Sequence, residues 1–164
     1  MKPLAALGGG LAGACAVTLI HETVRRIVPE APRMDLLGMS AISKGLEKAG
    51  LEKPDEEKLF SWALAGDIVS NCLYYSLAGV GKEKNVWLRS SLLGLGAGAG
   101  AVLLPNPLGL NNKHTNKTAS TKLMTVGLYV AGALVTTAVM KLIEKRKEKK
   151  NEVWERRLVT SAMG

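Results

Sequence analysis

The chain has 164 residues, with 22 Lys and Arg against 14 Asp and Glu, and a formal net charge of +8. Hydrophobic residues make up 47% of it but aromatics only 4%. A chain of this size forms one domain, and apolar residues gathered in long blocks exclude a disordered polymer. Only Cys15 and Cys72 are present, which excludes a disulfide framework and a cysteine-built zinc centre.

The first block, residues 3–20, is uncharged and rich in Ala and Gly. A helix rises about 1.5 Å per residue, so a hydrocarbon layer of about 30 Å takes roughly 20 residues. The block therefore predicts a first span. Lys2 with the apolar run after it resembles a signal peptide, and Ala12-Gly13-Ala14-Cys15 resembles a lipoprotein cleavage site. Because the run continues through Val17, Leu19 and Ile20, a retained span is the expectation. Gly9 and Gly13, four residues apart, make a flat stripe for helix packing. At the end of the span, His21, Arg25 and Arg26 suit an anionic lipid head group.

Pro29 and Pro32 separate this span from an amphipathic helix over 35–49. Asp35 is placed to cap it, and Leu36, Met39, Ile42 and Leu46 recur at three- and four-residue steps. It would lie on the membrane surface or across the mouth of a bundle. Pro54 followed by Asp55, Glu56 and Glu57 predicts the start of the next helix, with acids at the positive end of its dipole.

That helix carries the second apolar block, residues 59–81, in which Asp67 is the single charge. Ala63, Asp67, Ser70, Asn71, Tyr74 and Ala78 fall on one helical face. An ionisable group within a span costs a few kcal/mol and is usually turned to the bundle interior. The functional reading is an ion or proton pathway with Asn71 and Tyr74 as neutral partners. The structural reading pairs Asp67 with Arg25, Arg26 or Arg89, or has it cap a neighbouring helix.

The third block, residues 90–104, reaches only about 22 Å as a helix. A span over 88–108 requires Trp87 and Arg89 at one interface and residues 105–110 extending the other. Gly94 with Gly98 and Gly96 with Gly100 repeat the four-residue spacing. No Gly-Lys-Ser or Gly-Lys-Thr follows, so this is not a phosphate loop. The next loop holds His114 and a glycosylation-like Asn116-Lys117-Thr118. The fourth span, 123–141, places Thr125, Tyr129, Gly132 and Thr136 on one face. A basic tail, 141–158, carries eight Lys and Arg interleaved with four Glu and continues the helix beyond the bilayer.

A water-soluble bundle would need an amphipathic pattern that the first and third blocks lack. Thirteen of the 18 glycines fall within the four blocks, at about 1 kcal/mol each in a water-exposed helix. The expected fold is thus an all-α, integral membrane four-helix bundle with an additional helix in the first loop. The excess of basic residues on the tail side places both termini in the cytoplasm, in a bacterial inner membrane. No His or Cys spacing supports a metal site, no cofactor is implied, and the interleaved acids argue against nucleic acid. The expected partners are membrane lipids and either further copies of the chain or other membrane subunits. The leading functional expectation is a non-catalytic accessory subunit or self-associating bundle. A small oligomeric channel or transporter, with Asp67, Ser70, Asn71, Tyr74, Tyr129 and Thr136 along its path, is the alternative. A membrane-interface enzyme or lipid-binding protein comes third.

Overall fold

The computed structural model describes residues 2–162, which are all-helical with no strand among them. Six helices follow in order: α1 (Pro3–Ile27), α2 (Met34–Lys48), α3 (Glu56–Ser76), α4 (Val86–Leu103), α5 (Lys113–Asn116) and α6 (Ala119–Ala162). Short 3-10 turns occupy Leu77–Gly79 and Glu83–Asn85.

Three helical stretches are long and apolar enough to cross a membrane: Pro3–Ile27, Glu83–Leu103 and Ala119–Trp154. The helix containing the second apolar block has 21 residues but is not among them. Asp67, Ser70 and Asn71 lower its apolar character, and it ends at Ser76 rather than running on to residue 81. The backbone tightens there into the turn at Leu77–Gly79, and Gly81 (φ +92°) then reverses the chain. This helix starts two residues later than Pro54 implies. Asp55 is its cap, accepting a hydrogen bond from the Lys58 amide at 2.9 Å. α2, by contrast, starts earlier than expected: Arg33, not Asp35, precedes it, and Asp35 lies in its first turn.

α6 is the axis of the molecule, with α1 and α4 packed antiparallel along it. Gly9, Gly13 and Val17 of α1 meet Met140, Thr136 and Gly132 of α6 in descending order. Ser90, Gly94 and Gly98 of α4 meet Ala133, Val130 and Val126 in the same sense. The glycine spacing thus serves contacts within the chain. A Cβ at Gly98 would sit 2.6 Å from the Val126 Cα, and one at Gly94 2.8 Å from the Val130 Cα. Gly96 and Gly100 face elsewhere, towards the Tyr74 hydroxyl and Leu104.

α3 packs on α1 and α2 and touches α4 and α6 only locally. The Tyr75 hydroxyl donates to the Tyr129 carbonyl at 2.8 Å, and the Tyr74 hydroxyl to the Leu93 carbonyl at 3.1 Å. The core is accordingly small-residue and hydroxyl-rich, with Val17, Tyr75, Ala133 and Met140 fully buried. Thr125 and Thr136 donate to the carbonyls four residues back, Thr121 and Gly132, as threonines in apolar helices commonly do.

The chain's direction alternates through α1, α3, α4 and α6. One end therefore gathers Lys2, the 82–85 turn and the start of the basic tail, and the backbone N–H of Lys2 donates to Glu144 at 2.9 Å. The other end gathers α2, α5 and the 104–112 loop. There Lys44 donates to the Leu108 carbonyl at 2.7 Å and the Gly109 carbonyl at 3.1 Å, fastening α2 to that loop.

Candidate functional site

Asp67 lies halfway along α3, where it faces α1. Its Oδ2 accepts from the Thr18 hydroxyl at 2.8 Å and its Oδ1 from the Asn71 side-chain amide, one turn on, at 2.8 Å. Tyr129 of α6 closes the inner side, with its hydroxyl beside Asn71 and its ring edge-on to His21 at 5.5 Å between centroids. His21 is only 4% exposed, and its Nε2 has no hydrogen-bond partner.

None of the three arginines expected near Asp67 reaches it. Arg25 forms a two-pronged pair with Glu22 three residues before it, and Arg26 lies 3.8 Å from the same carboxylate. Arg89 instead donates to the carbonyls of Ala78 and Lys82, bracing the turn after α3. Among the described residues no basic side chain is ion-paired with Asp67.

A second cluster joins α1 to α2. Arg33 binds Asp35 through Nε at 2.9 Å and Nη2 at 2.7 Å, while Arg25 reaches Asp35 at 3.6 Å and stacks over the Phe60 ring at 5.9 Å. The Arg33 backbone N–H donates to the His114 carbonyl at 2.7 Å, tying in α5. Burial pushes the Asp35 carboxyl up, but the Arg33 hydrogen bonds, the Leu36 amide and the charges of Arg33 and Arg25 outweigh it. The carboxyl is held below its usual range. His114 is held below the ordinary imidazole value by burial and by the Arg33 charge.

A carboxyl more acidic folded than unfolded contributes stability that is present above its unfolded value, about 3.9, and lost as pH falls through its folded value. Asp35→Asn is therefore expected to melt below wild type at pH 7. The gap should narrow as the pH is lowered through the acid range below about 4. Thermal melts of both proteins in one detergent across that range check this; a gap constant with pH would deny the cluster its role.

Between these clusters lies a cavity of about 320 Å³ under α2. Thr18, His21, Glu22, Asp35 and Asp67 supply its polar wall, and Met34, Leu37, Ile42, Phe60, Leu64 and Leu110 much of the apolar remainder. Across a partition of Met34, Leu37, Ser70 and Leu110, a more open cleft separates α3 from α4, bordered by Asn71, Tyr74, Gly96, Gly100 and Tyr129.

Of the polar residues expected to form one path, the structure brings together Asp67, Asn71 and Tyr129. Ser70 is exposed, with its hydroxyl donating to the Asp67 carbonyl; Tyr74 turns towards α4; Thr136 lies lower, buried against Gly13. His21, expected among lipid head groups, faces the interior because Tyr129 and the cavity lie on its side of α1. Arg25 is turned into the ionic cluster, while Arg26 remains exposed.

Thr18, Phe60, Arg33 and Leu110 were not legible as site residues. Thr18 had a usable signal, since Thr18, His21 and Glu22 put polar atoms on one face of an otherwise apolar helix. Among the described residues no group of three or more His, Cys, Asp or Glu is placed to hold a metal ion. No family model, no curated protein and no solved structure matches the chain.

Proposed function

We propose that this chain is a non-enzymatic integral membrane protein that binds a membrane-soluble ligand in the cavity under α2. The observation that carries the reading is the cavity itself: largely apolar walls and convergent polar groups at one end, the usual make-up of a small-molecule site. Its volume sits at the lower end of the roughly 300–1,000 Å³ usual for such sites.

Membrane residence is supported by the outward faces of the helices. Leu4, Leu7, Leu11 and Leu19 on α1, Val69 and Leu73 on α3, and Leu88, Leu92 and Leu95 on α4 are all exposed, an apolar surface that lipid would cover. On this reading α3 is the fourth crossing, its polar side turned to α1 and the cavity. The basic end that holds Lys2, the 82–85 turn and the tail lies in the cytoplasm of a bacterial cell.

A channel through one copy is less well supported. Beyond Asn71 the buried hydroxyls of Tyr75, Ser90 and Thr136 are taken up by the carbonyls of Tyr129, Ala133 and Gly132, among apolar Val17, Ala78 and Met140. Self-association through the glycine stripes loses its main support, because Gly9, Gly13, Gly94 and Gly98 are occupied by α6. An accessory-subunit role keeps one favourable observation: residues 148–154 of α6 are exposed on every side, a free helix for an outside partner.

Native mass spectrometry after gentle extraction tests the reading. The expected result is a small molecule retained by the wild type and lost from Ile42→Trp, which fills the cavity from α2, with both proteins equally folded. Wild type and variant both free of small molecules, or carrying the same one equally, would overturn it. Retained protein subunits in place of a small molecule would favour the accessory role.

A further inference from the structure

We infer that the ligand of this cavity is an amphiphilic organic cation, a primary ammonium group on an apolar chain, held by Asp67 and His21. The inference rests on the binding reading above and adds the ligand's chemistry. Among the described residues three carboxylates line the cavity, Glu22, Asp35 and Asp67, and no Lys or Arg does.

Two of the three are already matched. Glu22 is held by Arg25 and Arg26, and Asp35 by Arg33 and Arg25, from outside the cavity. Asp67 has only the neutral donors Thr18 and Asn71, one on each oxygen. A carboxylate accepts about four hydrogen bonds, so each oxygen retains acceptor capacity. Asp67 is therefore the carboxyl of the three with no positive charge beside it, and a bound cation would supply that charge.

His21 is the independent observation. His21 is 4% exposed, it lines the same cavity, and its Nε2 has no hydrogen-bond partner. A neutral imidazole with the proton on Nδ1 offers Nε2 as an acceptor. An ammonium group has three N–H donors and no acceptor, which suits two carboxylate lone pairs and one imidazole nitrogen. An anionic or purely apolar molecule leaves both Asp67 and His21 unmatched. The apolar walls, Ile42, Phe60 and Leu64 among them, receive the chain.

The test uses the full chain in phosphatidylcholine nanodiscs, with decylamine and decanol carrying the same photoreactive diazirine. Labelling of cavity peptides is normalised to that of the lipid-facing residues of α4. The expected result is a preference for the amine of at least about tenfold, since a hydrogen bond to a charged group is worth roughly 1.5–3 kcal/mol. Asp67→Asn, which keeps the side-chain shape, should reduce that preference to near unity.

Equal labelling by amine and alcohol in the wild type would overturn the inference while leaving the cavity a binding site. Absence of cavity labelling by either probe would remove the binding reading as well. An amine preference unchanged in Asp67→Asn would also overturn the assignment. The wild-type ratio stands as a test even if that variant does not fold. Adding phosphatidylethanolamine separates two sources of the same ammonium chemistry. Competition with the amine supports a lipid head group, and undiminished amine labelling supports a free amphiphile.

Discussion

Replacing Gly98 by Leu is expected to abolish the folded protein, whereas Gly127→Ala on α6 is expected to leave it intact. At Gly98 the first added carbon would fall 2.6 Å from the Val126 Cα and 3.2 Å from its carbonyl oxygen. Those are backbone atoms of a long helix, and no rotamer change relieves them. Overpacking a close-packed site costs about 1–3 kcal/mol when side chains can yield, and more when a helix axis must move. The contact lies in the α4–α6 seam, so separation there also disturbs the Ser90–Ala133 hydrogen bond. Gly127 has nothing within 4 Å of an added Cβ, and Ala in a helix is favoured over Gly by up to about 1 kcal/mol. Size-exclusion profiles and thermal melts in detergent separate the cases. A monodisperse Gly98→Leu protein melting like wild type would mean that α4 does not pack on α6 as described.

The second large effect is expected at the α1–α3 junction. Asp67→Leu removes the acceptor shared by Thr18 and Asn71 and leaves two donors short of a partner, at about 1–3 kcal/mol each where buried. Asp67→Asn keeps one acceptor and should cost distinctly less. A cycle of Thr18→Val, Asp67→Leu and the double variant isolates the interhelical bond. The expected coupling is about 1 kcal/mol, within the range for residues in direct contact. Additive single effects would show that Asp67 does not join the two helices through Thr18.

These two sites differ in how far the sequence reveals them. The four-residue glycine spacing announces close helix packing, because only a missing Cβ lets backbones approach. It does not name the partner. Gly13 and Gly98 find theirs on different faces of α6, one against Thr136 and the other against Val126, while Gly96 faces Tyr74. Asp67 stands out as a lone charge in an apolar block. Its acceptors' partners come from one turn away and from another helix, and only Asn71 is visible as a periodic neighbour.

Arg25 shows the same divide. Composition places it beside possible acids at the end of the first apolar helix, but Glu22 at three residues' distance wins over Asp67. A local i, i+3 pair needs no rearrangement of the fold, and Asp35 then draws the guanidinium towards α2.

By itself, then, the sequence determined the helical class, the apolar segments, the basic tail and the presence of one acid where apolar residues prevail. These follow from local composition and periodicity, which need no knowledge of neighbours. The tertiary structure decided that α6 is the axis, that α3 stands aside from it, and that His21 faces inward. It also decided that α2 roofs a cavity whose one unmatched carboxylate is Asp67. Each of these depends on which side chains from distant parts of the chain meet, and hydrogen bonds such as Thr18 to Asp67, 49 residues apart, have no local signature.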